Sequence, residues 1–123
     1  YMGYEVAKRL GLDTAALQNK AGAFVEPGPD SGKAGLAAGS DQVPEDLRVF
    51  MPDPDGEDSY PIVTYSWLLL QQRYANRAKA DALKTAITWG LSREAQGLAA
   101  ELGFVPLPDN VVEKAATALA AIL

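Results

Sequence analysis

The chain contains no cysteine and no histidine. The first absence removes disulfides, thiolate nucleophiles and cysteine-based metal sites. The second removes the commonest general base and the commonest transition-metal ligand. Any catalysis would have to run on carboxylates, lysine or tyrosine. Long apolar runs are missing as well: the longest strongly apolar stretch, Trp67-Leu68-Leu69-Leu70, is far short of the roughly 20 residues of a bilayer-spanning helix. Positive charge is scarce, with 11 basic side chains against 16 acidic and a net charge of -5. No basic stripe is available to neutralise a phosphodiester backbone, so no nucleic-acid partner is expected. The acidity is uneven, since residues 1–58 carry 11 acidic and 5 basic side chains.

What remains is an ordinary globular composition of 123 residues, 48% hydrophobic and 22% charged. That length suits one small domain, which buries about two thirds of its unfolded surface by the usual size scaling. The opening Tyr1-Met2-Gly3-Tyr4 has neither a leader nor a polar run-in, which reads as a chain that starts inside an element. No internal repeat is visible.

Residues 58–70, DSYPIVTYSWLLL, form the most informative stretch. A polar turn runs into β-branched and aromatic residues and then three leucines, which predicts a buried strand over 62–70, central in a sheet because both faces are apolar at its end. Pro61 fits only at its first residue. Residues 4–10 have helical spacing and Gly11 stands at a C-terminal stop. Asn19-Lys20-Ala21-Gly22 predicts a hairpin turn between two short runs in 16–25. A weak helix is expected over 33–38, capped by Asp30 or Ser31 and weakened by its glycines. Three further helices are predicted: about 74–89, with its alanines, Leu83 and Ile87 on one side; 92–102, capped by Ser92 and stopped by Gly103; and one capped by Asp109 that packs Val112, Ala115, Ala116, Leu119 and Ile122.

Three groups of residues invite a chemical reading. Gly28-Pro29-Asp30-Ser31-Gly32-Lys33 has the residue types of a phosphate cradle. Its spacing is wrong for a P-loop, and Ala34 stands where a metal-binding hydroxyl belongs, so a turn and helix start is preferred. Asp53, Asp55, Glu57 and Asp58 surround Gly56 as in a calcium loop, but Pro54 interrupts them and no closing glutamate follows at the right spacing. A solvated acidic turn is the simpler account. Tyr60, Tyr65, Trp67 and Trp89 suggest a sugar platform or, more simply, core aromatics.

The segments YMGYEVAKRLGL (1–12), ALQNKAGAFVEP (16–27) and FMPDPDGEDSYPI (50–62), the strand motif and the link LGFVPLP (102–108) occur in an order that resembles one family. The chain is similar to the C-terminal part of the phosphate-binding protein of phosphate ABC transporters, a periplasmic solute-binding protein of type II. Gly3 and Glu5 depart from the usual form of the first segment. The resemblance implies the C-terminal portion of a two-lobe α/β fold, with mixed sheets flanked by helices. It assigns residues 1–58 to the second lobe, and 59–123 to the return crossover and the rest of the first lobe. Tyr1, Ser59, Tyr60 and Pro61 become hinge or lobe-interface candidates. It implies a non-enzymatic receptor without cofactor or metal, with no catalytic residues, which takes inorganic phosphate together with an N-terminal portion absent here. The motifs that hold phosphate lie upstream of the matched piece, so no ligand-binding residue is assigned in it. The implied partners are the membrane subunits of an ABC importer, and the implied location is periplasmic or extracytoplasmic, with lipid anchoring through the absent N-terminus as one form. Receptors for sulfate, molybdate or tungstate are the nearest alternatives. A small carboxylate-based hydrolase using the acidic turn and a stand-alone interaction module are the others. A piece of such a receptor is expected to expose sheet edges and apolar faces.

Overall fold

The computed structural model describes residues 2–123; Tyr1, one of the hinge candidates, lies outside them. Five α-helices and one hairpin follow in the order α1 (Tyr4–Leu10), β1 (Leu17–Gln18), β2 (Phe24–Val25), α2 (Pro29–Gly39), α3 (Arg77–Gly90), α4 (Arg93–Glu101) and α5 (Asp109–Ala120). A 3-10 turn, Ser40–Gln42, continues the end of α2. Helix and strand are thus mixed as expected. In place of mixed sheets, however, the described residues form a single two-stranded antiparallel sheet.

Local chemistry explains the elements that agree with the sequence. Gly11 takes φ 64° after α1, and the amides of Gly11 and Leu12 donate back to the carbonyls of Lys8 and Ala7. That closes the helix end on a left-handed glycine. β1 and β2 pair Leu17 with Val25 and Gln18 with Phe24. Gly22, at φ 87°, closes their turn by donating its amide to the Asn19 carbonyl at 2.9 Å. Ser92 caps α4, its hydroxyl accepting from the Ala95 amide at 3.2 Å, and Gly103 stops it at φ 89°.

Other details differ. α2 starts earlier than the expected 33–38, because Pro29 supplies the preset φ of a first helical residue. Asp30 and Ser31 therefore lie inside the helix and do not cap it. Asp109 likewise sits in the first turn of α5 behind Pro108, where it faces the positive end of the helix dipole. α3 begins at Arg77 behind Asn76, whose Oδ1 accepts from the Lys79 amide. Of its residues only Ala80 is buried, and Ala78, Ala82 and Ala86 are exposed. On α5 the buried positions are Val111 and Leu119.

The largest correction concerns residues 62–70. They are not a strand here, and their second half is not buried: Leu68 is 73% and Leu69 96% exposed. A strand exists only where another backbone accepts its ladder bonds, and the described residues offer none to that segment. From Val43 to Asn76 there is neither helix nor sheet. Unstructured connections longer than about 12–15 residues are uncommon inside compact domains.

The core is small. Leu36, Val43, Met51, Tyr65 and Val111 form it, with Val63, Val105 and Leu107 among the side chains packed around them. Both residues 1–58 and 59–123 contribute. α5 is fastened to the end of α2 by Asn110, whose Nδ2 donates to Ser40 Oγ and Asp41 Oδ1, each at 3.1 Å, and by Lys114, whose Nζ donates to the Val43 carbonyl at 2.5 Å. No helix among the described residues is long and apolar enough to cross a membrane.

α2 joins this core through glycine. Gly32, Gly35, Leu36 and Gly39 are its buried residues. A Cβ added at Gly32 would stand 2.5 Å from Val105 Cγ2, one at Gly35 would stand 2.9 Å from Val63 Cγ1, and one at Gly39 would strike Met51 Sδ. The glycines that lower helix propensity are thus what allows three distant segments to reach the helix axis. Gly32→Ala and Gly35→Ala are expected to cost about 1–3 kcal/mol through overpacking. Gly97→Ala, on exposed α4 with open space around it, is expected to stabilise by about 0.5–1 kcal/mol. Urea unfolding midpoints of the three variants check this, and equal midpoints for Gly32→Ala and Gly97→Ala would refute the close-approach account.

Candidate functional site

Some of the residues that the sequence singled out meet at the junction between the hairpin turn and the acidic loop. Asn19, 4% exposed, is the centre of that junction. Its Nδ2 lies within hydrogen-bond distance of three carbonyls, those of Gly56 at 3.2 Å, Glu57 at 2.8 Å and Ser59 at 3.1 Å. Its Oδ1 accepts from the Ala23 amide at 3.1 Å, so one side chain braces its own hairpin and captures a loop nearly forty residues away. Gly56, at φ 108°, turns the loop so that these carbonyls face inward. Sequence reasoning used Asn19 only as a turn former. The missed signal was that a turn amide has two donors left over when it sits beside a bend of inward-facing carbonyls.

Of the hinge candidates, Ser59 is 1% exposed, and its hydroxyl donates to the Asp55 carbonyl at 2.6 Å. The Tyr60 amide donates to the Ser31 carbonyl at 3.2 Å, and its phenol donates to the Ala15 carbonyl at 3.3 Å. The Pro61 carbonyl accepts from the Asp53 amide at 3.0 Å. These three consecutive residues therefore tie together the acidic loop, the start of α2 and the segment before β1.

The glycine-rich loop is not an open anion cradle. Ser31 turns its hydroxyl onto the Glu26 carbonyl at 2.7 Å and lies 3.3 Å from that of Gly28, and the Gly32 amide already donates to the Gly28 carbonyl. Lys33 is exposed. The acidic turn is likewise engaged: Asp53 Oδ1 accepts from the Lys20 amide at 3.1 Å, and Lys20 Nζ pairs with Asp55 at 2.6 Å. No group of three metal-ligating side chains occurs among the described residues. Beside this turn lies a pocket of about 130 Å³ lined by Lys20, Gln42, Phe50, Met51 and Asp55 among others. A wider, mostly apolar groove of about 440 Å³ runs between α3 and α5, past Thr88, Leu91, Val112 and Leu119.

The aromatic residues divide. Tyr65 is in the core as expected, but Trp67 and Trp89 are 45% and 55% exposed, which corrects their reading as core residues. Trp67 meets Tyr65 edge to face at 6.5 Å and donates its indole N–H to the Leu47 carbonyl at 2.8 Å, so it edges the core without entering it. The Tyr65 hydroxyl is buried without a hydrogen-bond partner, and burial raises its pKa above the ordinary tyrosine value. The other clear perturbation is remote from the junction: hydrogen bonds from Arg48 hold the exposed Asp46 carboxyl below its usual range.

With this geometry, comparison with known proteins is informative. No family model matches the chain. Curated phosphate-binding proteins do. The chain is 32% identical over 93% of its length to the phosphate-binding protein PstS of Pasteurella multocida, 33% identical over 91% to that of Haemophilus influenzae, and 31% identical over 91% to that of Methanocaldococcus jannaschii. These matches bear out the resemblance to phosphate-binding proteins that the segment order suggested. The chain spans about a third of the length of each of these relatives, 33%, 33% and 31% in turn.

Two substitutions probe the junction. Asn19→Ala is expected to cost about 1–3 kcal/mol, the desolvation of buried groups left unpaired. Asn19→Asp is expected to cost more at neutral pH, because it sets a carboxylate against three carbonyl oxygens; the deficit narrows on acidification as the carboxyl takes up a proton and regains a donor. Denaturant unfolding at neutral and acid pH measures both. Tyr65→Phe is expected to leave stability unchanged or raise it by about 1 kcal/mol, since it removes an unpaired buried hydroxyl. The phenol's folded-state pKa is raised, so the stability of the parent chain is expected to fall as pH climbs beyond about 10, the unfolded tyrosine value, and Tyr65→Phe to lose that part of the decline. Thermal melts across the alkaline range check the difference.

Proposed function

We propose that this chain is part of a receptor that binds inorganic phosphate for an ABC importer, and that it works as structural framework without contributing the ligand's main contacts. The observation that carries the reading is its similarity over about nine tenths of its length to proteins named for phosphate binding, each about three times longer. Residues 1–58 belong to the second lobe, and 59–123 form the return crossover and the C-terminal part of the first. Ser59, Tyr60 and Pro61 serve as hinge or lobe-interface residues.

The site geometry supports the division of labour. The loop most like an anion cradle spends its hydroxyl and an amide on its own backbone, and the acidic turn carries the wrong charge for phosphate. The groups that hold the anion therefore come from the rest of the receptor, and lobe closure brings them together, because only a closed form satisfies every oxygen of a buried anion. The protein is not an enzyme, and it works in the periplasm or another extracytoplasmic space. The same architecture with a different ligand loop would take sulfate, molybdate or tungstate.

Calorimetric titration of phosphate, with sulfate as control, tests this in two preparations. The chain alone is expected to give no heat of binding. A chimaera in which it replaces the matching third of the Pasteurella multocida relative is expected to bind phosphate selectively. Saturable phosphate binding by the chain alone would overturn the assignment of ligand groups. A folded chimaera indifferent to phosphate would overturn the ligand.

A further inference from the structure

An aspartyl or asparaginyl side chain can be attacked by the amide of the residue after it, and this chain shields several such pairs. Pro54, after Asp53, has no N–H to give up. The Ser59 amide, after Asp58, already donates to the Gly56 carbonyl at 3.2 Å. The Lys20 amide donates to Asp53 Oδ1, and the side chain of Asn19 before it is bound through both Nδ2 and Oδ1. Asp55–Gly56 lacks these restraints. The Asp55 side chain is 79% exposed, and the Gly56 amide makes no hydrogen bond among the described residues. Gly56 has no Cβ to hinder approach, and its φ of 108° suits glycine. Ser59 Oγ donates at 2.6 Å to the Asp55 carbonyl, which belongs to the same peptide unit as the Gly56 nitrogen. A donor on that oxygen stabilises the negative charge that builds there when the nitrogen loses its proton.

We propose that Asp55–Gly56 is a site of spontaneous isoaspartate formation, and that the change releases the clamp at Asn19. The Gly56 nitrogen bonds to Cγ of the protonated Asp55 carboxyl, and the amide proton leaves with the carboxyl hydroxyl as water. The succinimide so formed takes water back at either carbonyl. Attack at Cγ restores aspartate. Attack at the main-chain carbon breaks the original peptide bond and leaves the chain running through the side chain, with the α-carboxylate free. Nothing is oxidised or reduced, and water is the only co-reactant. The added carbon enters a loop that is closed at both ends: the Asp53 amide is held by the Pro61 carbonyl, and Asn19 Nδ2 holds the carbonyls of Gly56, Glu57 and Ser59. The oxygen that accepts from Ser59 becomes part of the free carboxylate, and the three carbonyls lose their register with Asn19. Lys20, with its ammonium on Asp55 Oδ1 at 2.6 Å, slows the reaction by holding the carboxylate to itself.

Ageing the chain in warm neutral buffer tests this. Isoaspartate is counted by methyl transfer from S-adenosylmethionine with an isoaspartyl carboxyl methyltransferase, and placed by fragmenting the tryptic peptide 49–73. It is expected to accumulate at residue 55 and not at Asp58. Asp55→Glu keeps the charge but would need a larger, disfavoured ring, and is expected to abolish the signal. Lys20→Gln is expected to speed it by about two- to fivefold, the size of an exposed ion pair's effect. The purified isoaspartyl form is expected to melt about 3–10 °C below the parent, and the loss is expected to shrink in an Asn19→Ala background, because both changes remove the same contacts. No isoaspartate at 55, or as much at 58, would overturn the site. An unchanged rate in Lys20→Gln would overturn the restraint assigned to the pair. An isoaspartyl form that melts with the parent, or a loss that adds in full to that of Asn19→Ala, would overturn the release of the clamp.

Discussion

The structure of the first half of the chain hangs on the amide of one asparagine. Asn19 stands at the hairpin turn, and its side chain reaches three carbonyls of the loop 56–59. That loop then delivers the Tyr60 amide to Ser31 at the start of α2, and carries Val63 and Tyr65 to the core. The interaction works because it is buried. In water the amide would exchange partners at little cost, whereas here the buried Ser59 carbonyl would be left desolvated without it. The exposed pair of Lys20 with Asp55, one residue further along the turn, has shorter geometry and much less consequence, since solvent screens it.

Much of the fold was legible in the sequence where the determining chemistry is local. Gly11, Gly22 and Gly103 ended or turned their elements as their freedom at positive φ allows, and Ser92 capped α4. Misreadings arose where the answer depends on distant chain. The glycines of α2 look like weakness until Val105, Val63 and Met51 are placed against them. The apolar run at 67–70 looks like core, because composition records what a segment needs covered and not whether the chain supplies the cover.

The candidate site was legible in a similar, partial way. Ser59, Tyr60 and Pro61 were singled out through resemblance, and the structure bonds Ser59 and Pro61 to the acidic loop and Tyr60 to the start of α2 and the segment before β1. The acidic residues around Gly56 were correctly taken as a turn: Asp53 and Asp55 both answer to Lys20. Asn19 was missed because a side chain that serves a turn gives no sequence sign of a second role.

α2 also sets the order in which the molecule can assemble. Its far end is closed by Asn110 and Lys114, from residues 70 and 71 positions further along the chain, and its glycine face waits for Val105. Contacts of that separation pay their loop-closure entropy before they return any burial. A nascent polypeptide can therefore form α1, the hairpin and much of α2 early, yet the core that holds them together closes only when α5 has left the ribosome. Until then Leu36 and Met51 have no lid, and a chaperone that shields them for that interval would serve this chain better than any gain in helix propensity.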